Sequence, residues 1–156
     1  MEIAAHVIGH LVVATKEVFE RMVFRPITAC PPIDGTAARA PSNVVATVSF
    51  AGHRRGLVAF HSSLDAARDI AGAMLGVPID TVNGDMPDAI GEIANMIAGS
   101  FRTRLAATEP ASAIAVPSVT IGLDFCTRYG GNVTRVLCPF QMGEQSIYVE
   151  LILTGD

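Results

Sequence analysis

Two polar side chains near the middle of the chain, Glu92 and Asn95, are spaced so that both leave one face of a helix. A carboxylate accepts hydrogen bonds from a cation, and a carboxamide both donates and accepts them. The pair therefore suits holding a charged partner and orienting a water molecule. Neither group is a good nucleophile, so the pair does not suit a reaction that passes through a covalent intermediate.

The residues around this pair separate into two faces at about 100° per residue. They predict an amphipathic helix over residues 85–107 with a core face and a separate exposed face. The exposed face would hold Asp88, Glu92, Asn95, Gly99 and Thr103. The core face would hold Ile90, Ile93, Ala94, Ile97, Phe101 and Leu105.

This helix is rich in residues that weaken a helix. Gly91, Asn95 and Gly99 lie within nine positions, although Asn costs about 0.5–0.7 kcal/mol and Gly about 1 kcal/mol relative to Ala in a helix. A solvated face would ordinarily carry Lys, Glu, Gln or Ala, so this one is interpreted as shaped for close approach by another molecule. An isolated Glu-x-x-Asn more often marks two ordinary exposed residues. The surrounding sequence therefore has to distinguish a functional pair from an ordinary exposed one.

The surrounding residues resemble the active-site pattern of the CheC/CheX/FliY family of chemotaxis phosphatases. That pattern is Asp or Ser, three residues, Glu, two residues, Asn, and a Pro about two dozen positions later. Here the matching residues are Asp88, Glu92, Asn95 and Pro117, with Pro117 lying 22 positions after Asn95. The glycine and apolar spacing of residues 48–60 is similar to the hairpin of the same family.

The first predicted helix offers Glu17-x-x-Glu20 where two-site CheC members repeat the motif. Only one Glu-x-x-Asn occurs in the chain. The sequence therefore looks CheX-like.

The resemblance implies a phosphatase that acts on the phospho-aspartate of a CheY-like response-regulator receiver, by orienting an in-line water without a covalent intermediate. The Glu92 carboxylate would pair with a lysine of the receiver, and the Asn95 amide would enter the receiver site and orient the attacking water. The chain would bind no metal or other cofactor itself, because the receiver already carries the Mg²⁺.

The remaining motif residues would support docking. Asp88 would be a supporting contact and a cap for the first helical turn, Gly91 and Gly99 would leave room for the receiver's loops, and Pro117 would shape the chain beside the site. The family likeness also implies a homodimer that forms through sheet edges.

Two other functions remain open at the level of sequence. A non-catalytic module of the same fold could bind a receiver or associate with the flagellar switch. A structural or assembly protein could carry the same polar helix face merely as exposed surface. Covalent catalysis is disfavoured, because no Ser lies in a Gly-x-Ser-x-Gly elbow and all four histidines precede residue 62.

Composition limits the class of protein. A length of 156 residues with 50% hydrophobic residues suits one compact domain over residues 1–156. The net charge of −4, with no run of basic residues, argues against nucleic-acid binding. Three widely spaced cysteines without a Cys-x-x-Cys pair indicate reduced thiols in a cytoplasmic protein. Polar residues interrupt the apolar N-terminal stretch, so neither a signal peptide nor a membrane span is predicted.

Periodicity predicts an α+β single domain with an antiparallel sheet and helices packed on one face, as in the CheC/CheX family. Other helices are expected over residues 3–23 and from Ser62 or Ser63 to Gly76, and residues 25–42 are expected to be a connector. Strands are expected at residues 44–50, 57–60, 113–121, 133–141 and 146–153.

The first helix raises two further questions. Its buried stripe is expected to be Val7, Leu11, Ala14, Val18 and Met22. His6 and His10 are one turn apart and could share a metal, but the handiest third ligand, Glu17, is two turns away, so a solvated face is favoured. The positive hairpin tip at residues 52–56 is interpreted as a solvated turn, with a basic prong for an acidic partner as the alternative.

Overall fold

A computed structural model describes residues 3–34, 40 and 42–155, and places a layer of helices against one face of an antiparallel sheet. The helices are α1 (Ala5–Val18), α2 (Leu64–Leu75) and α3 (Met86–Leu105). The eight strands are β1 (Thr28–Ala29), β2 (Ile33–Asp34), β3 (Ser42–Ala51), β4 (Gly56–Ser62), β5 (Ala113–Ile114), β6 (Ser118–Phe125), β7 (Val133–Met142) and β8 (Gln145–Thr154). The predicted fold class is confirmed.

The sheet runs in the order β1-β7-β8-β4-β3-β5, with β2 also on β7 and β6 also on β3. Alternate residues of the central strands face the helices and form the main core, as Val149 and Leu151 of β8 show. The predicted hairpin is confirmed by the pairing of β3 with β4.

Two predictions about strands need correction. The single strand expected at residues 113–121 is divided into β5 and β6 around Pro117, which has no N–H to donate to a ladder. The connector contains the two-residue strands β1 and β2 at the margin of β7. Residues 35–39 and 41 of that connector lie outside the described residues.

The end of α1 also departs from the sequence pattern. Residues Phe19–Val23 form a π-helical turn, in which the Phe24 N–H donates to the Phe19 carbonyl oxygen at 2.8 Å. This wider turn shifts the buried stripe by one position, so Val23 is buried and Met22 is 42% exposed. The prediction for Met22 was therefore wrong, whereas Val7, Leu11, Ala14 and Val18 are buried as expected.

Helix α2 begins and ends as the sequence predicts. The Ser63 hydroxyl accepts a hydrogen bond from the Ala66 N–H at 3.1 Å, which caps the first turn. Gly76 closes the helix in the left-handed conformation, with φ of 66°.

A buried polar network lies on the sheet face opposite the helices. Glu150 contacts His61 at 3.1 Å and Arg135 forms an ion pair with its other carboxylate oxygen, while the second ring nitrogen of His61 lies 3.1 Å from the Ser42 hydroxyl. Burial of a carboxylate requires such partners. The network therefore fastens β3, β4, β7 and β8 together.

Candidate functional site

Helix α3 presents the motif because its apolar stripe holds it against the sheet. The predicted core-face residues of this helix are all buried. Pro87 and Asp88 in the first turn, with Arg102 and Arg104 in the last, suit the ends of a helix and its dipole. The predicted orientation of α3 is therefore confirmed.

Glu92 is exposed and Asn95 is partly exposed on the outer face of this helix. Residues three apart in a helix are neighbours, with Cβ atoms about 5–6 Å apart. Within the described residues, neither side chain makes a hydrogen bond or an ion pair. A carboxylate and an amide are thus held side by side with their bonding capacity free for another molecule.

Asp88 is exposed one turn before Glu92. Neither Asp88 nor the residue at the start of the helix, Asp85, makes a side-chain capping hydrogen bond. The prediction that Asp88 caps the first turn is therefore wrong. Its carboxylate extends the negative surface of Glu92 toward the N-terminus of α3.

Gly99 leaves the helix surface open beyond Asn95. A Cβ atom built at Gly99 would have no atom of the described residues within 4 Å, apart from the local chain. The Thr103 hydroxyl donates to the Gly99 carbonyl oxygen at 3.0 Å, so its hydrogen is engaged within the helix. The surface between Asn95 and Thr103 can therefore be approached closely.

Gly91 differs from Gly99. It is buried, and a Cβ atom there would lie 3.3 Å from Val119 Cγ2 and 3.6 Å from Pro117 Cγ. The missing side chain makes room for this chain's own β6 and Pro117, so the structure contradicts the prediction that Gly91 leaves room for a partner's loops. Pro117 packs against α3 one turn before Asn95, next to the site that it was predicted to shape.

Other candidate groups are engaged or isolated. At the hairpin tip, Arg54 Nε donates to both carboxylate oxygens of Glu109 at 2.9 and 3.0 Å, so this guanidinium is already paired within the chain. Burial raises the pKa of the Cys138 thiol to about 12, which leaves it without a thiolate at neutral pH. The described residues contain no group of three or more His, Cys, Asp or Glu side chains that could hold a metal ion.

Sequence reasoning missed one charged residue near the site, Arg102. It lies seven positions after Asn95 and is partly exposed. Its guanidinium makes no hydrogen bond or ion pair with the rest of the described chain. The spacing of seven, which returns a helix to nearly the same face, was the signal available.

Comparison with known proteins supplies the family. The model of the chemotaxis phosphatase CheX family matches residues 44–141, more than half of the chain. No curated protein shows significant similarity to this sequence. None of the helices in the described residues is long and apolar enough to cross a membrane.

Solved structures agree. The chemotaxis protein CheX of Desulfovibrio desulfuricans is 27% identical, with a TM-score of 0.87 over 95% of this chain and 99% of that one. CheX of Vibrio vulnificus is 21% identical, with a TM-score of 0.87 over 96% and 99% of the two chains. The CheX–CheY–BeF₃–Mg²⁺ complex of Borrelia burgdorferi gives 20% identity, with a TM-score of 0.79 over 96% and 98%. The chain belongs to the chemotaxis phosphatase CheX family.

Proposed function

We propose that this chain dephosphorylates the phospho-aspartate of a CheY-like response-regulator receiver, by orienting an in-line water without a covalent intermediate. The observation that carries the proposal is the free state of Glu92 and Asn95. They occupy the Glu and Asn positions of the family motif on an exposed helix face, and neither has a partner within the described residues.

The chemistry divides between two proteins. A phosphorylated receiver supplies the acyl phosphate, a Mg²⁺ and a lysine, so the groups that stabilise charge in the transition state belong to the substrate protein. This chain would position the attacking water. The Glu92 carboxylate pairs with the receiver lysine, and the Asn95 amide accepts from and donates to the water that attacks phosphorus. Such positioning of a water is worth roughly 10²-fold or more in rate.

The surroundings of the pair favour docking of a folded partner. Asp88 adds a second carboxylate one turn before Glu92, and Gly99 leaves the helix open one turn after Asn95. Pro117 supports the flank of α3 at Gly91. These residues of α3, from Asp88 to Gly99, form an exposed ridge that would enter a pocket on the partner. A protein substrate fits such a site.

The chain is further proposed to act as a homodimer in the cytoplasm. Strand β6 pairs only with β3 among the described residues. Ile121 and Leu123 on β6 are 49% and 93% exposed. A free strand edge with exposed apolar residues is a surface on which a second copy can add a strand.

A phosphate-loss assay tests the proposed function. Each receiver of the source organism is phosphorylated with a small acyl-phosphate donor, separated from the donor, and mixed with one tenth of its molar amount of this protein. Decay faster than the receiver's own, with many receivers turned over per chain, is expected for one receiver or a few. Binding without any acceleration would instead identify a non-catalytic receiver-binding or flagellar-switch module.

A further inference from the structure

The exposed ridge of α3 carries opposite charges at its two ends. Asp85, Asp88 and Glu92 are exposed near its N-terminal end, and none of them forms an ion pair within the described chain. Arg102 is partly exposed near the other end and is likewise unpaired there. Glu92 and Arg102 are ten positions apart, which is about 15 Å along the helix.

Arg102 has no ion-pair partner within the described residues, whereas the nearby Arg54 has one. Arg54, Arg102 and Glu109 line one small cavity between the C-terminal half of α3 and the β3–β4 hairpin. Both oxygens of the Glu109 carboxylate accept from Arg54. Of the three charged residues that line the cavity, Arg54 and Glu109 are paired with each other, and Arg102 has no ion-pair partner within the described residues.

The open surface at Gly99 connects this charge to the site. Helical side chains lean toward the N-terminus, so Arg102 extends toward Ala98, which lines the same cavity, and leaves Gly99 uncovered. Gly99 has no side chain to separate Arg102 from Asn95, which lies about 10 Å away along the axis. A partner seated over Asn95 thus comes within reach of the guanidinium.

We infer that Arg102 is a second docking contact, which pairs with a carboxylate on the receiver surface while Glu92 pairs with the receiver's cation. This inference rests on the proposed function. Two opposite charges at opposite ends of one helix define the direction in which a partner lies along it, because the reversed placement brings like charges together. Arg102 is a positioning residue, since it contacts the partner's surface and not the reacting atoms.

The test compares two charge reversals in the full-length chain, Arg102→Glu and Arg128→Glu. Arg128 is exposed between β6 and β7, is also unpaired in the described residues, and neighbours Tyr129, which packs on the sheet face opposite the helices. It is therefore a control with the same change of net charge. Binding is measured to the receiver loaded with Mg²⁺ and beryllium fluoride, at low and high salt.

We expect Arg102→Glu to raise Kd about 10-fold or more at low salt, Arg102→Ala to raise it about 3-fold, and Arg128→Glu to leave it within about 2-fold. The loss should arise mainly in the association rate and should shrink at high salt. When the receiver is saturated with the Arg102→Glu variant, its dephosphorylation rate should stay within about 2-fold of the rate with the parent protein. A variant that had lost its folded structure would not retain this rate.

Equal binding by Arg102→Glu and Arg128→Glu would overturn the inference, as would a loss of turnover at saturation with Kd unchanged. The proposed function fails separately. If the parent binds the receiver but does not accelerate phosphate loss, the phosphatase proposal falls, and the comparison of Kd values still decides the role of Arg102. If the parent does not bind any receiver, both proposals fall.

Discussion

Glu17 on α1 and Glu92 on α3 are each followed three positions later by a second polar residue, yet only Glu92 is unpaired within the described residues. Glu17 on α1 lies 3.1 Å from Arg21 and also forms an ion pair with Arg104. Glu92 on α3 makes no ion pair within the described residues. The same spacing therefore accompanies a paired glutamate on one helix and an unpaired glutamate on the other, within the described residues.

One of the two cations paired with Glu17 comes from α3, the helix that carries the proposed site. Arg104 reaches from the last turn of α3 to the end of α1, and its Nε atom is buried without a hydrogen-bond partner in the described residues. A cation that approached Glu17 would have to displace two guanidinium groups. Such part-exposed ion pairs contribute about 1 kcal/mol or less to the free energy of unfolding. The pairing of Glu17 therefore adds little stability, and the unpaired Glu92 adds none through ion pairing.

Replacement of Asn95 is expected to lower the dephosphorylation rate more than any other single change, and it distinguishes catalysis from docking. Asn95→Ala should slow receiver dephosphorylation by about 10²-fold or more, because the water loses its orienting amide. Stability should not fall, since Ala is the better helix former and the Asn95 side chain makes no bond within the described residues. Receiver decay, receiver binding and thermal melting are measured on one preparation. Near-normal decay by the folded variant would contradict the mechanism.

The two glycines of α3 provide a second contrast. Gly99→Leu should leave the domain folded, because the position is open, but should reduce dephosphorylation by about 10²-fold, because a misplacement of about 1 Å is enough. Gly91→Leu should instead destabilise by about 1–3 kcal/mol through overpacking against Pro117 and Val119. Melting curves and receiver decay separate the two outcomes. Full activity of the Gly99 variant would show that this surface does not meet the receiver.

These contrasts mark what the sequence could and could not reveal. The faces of α3 were predictable because helical periodicity is a local property, and the cap at Ser63 was predictable for the same reason. Met22 was placed wrongly because a π turn adds a residue that no apolar repeat records.

Long-range neighbours account for the other misses. The burial of Gly91 depends on Pro117 and Val119, and the pairing of Glu17 with Arg104 joins residues 87 positions apart. Local patterns cannot report either contact. The motif therefore selected candidate residues, while the tertiary structure shows which glutamate is unpaired within the described residues and which glycine has open space beside it.

Charge reversal should affect different properties at the two glutamates, Glu92 and Glu17. Glu92→Lys should weaken receiver binding by about 10-fold or more and make the remaining binding less sensitive to salt. Glu17→Lys should instead lower stability by about 1 kcal/mol, because it places a cation beside Arg21 and Arg104. Its effect on receiver binding should be small. Titrations across ionic strength and denaturant melts measure both quantities, and equal binding defects in the two variants would remove the distinction.

A substitution at position 20 tests whether ion pairing keeps Glu17 from acting as a second site. Glu20→Asn creates a Glu-x-x-Asn sequence that begins at Glu17 on α1 and ends in the π-helical turn after it. If ion pairing keeps Glu17 from a receiver, this change should alter dephosphorylation by less than about 2-fold, because a receiver lysine would still have to compete with Arg21 and Arg104. The sensitive background is Asn95→Ala, in which any activity from α1 would stand out. Receiver decay by the double variant should match that of Asn95→Ala alone, and a clear gain would mean that the residue at position 20, and not the paired state of Glu17, limits activity at the first helix.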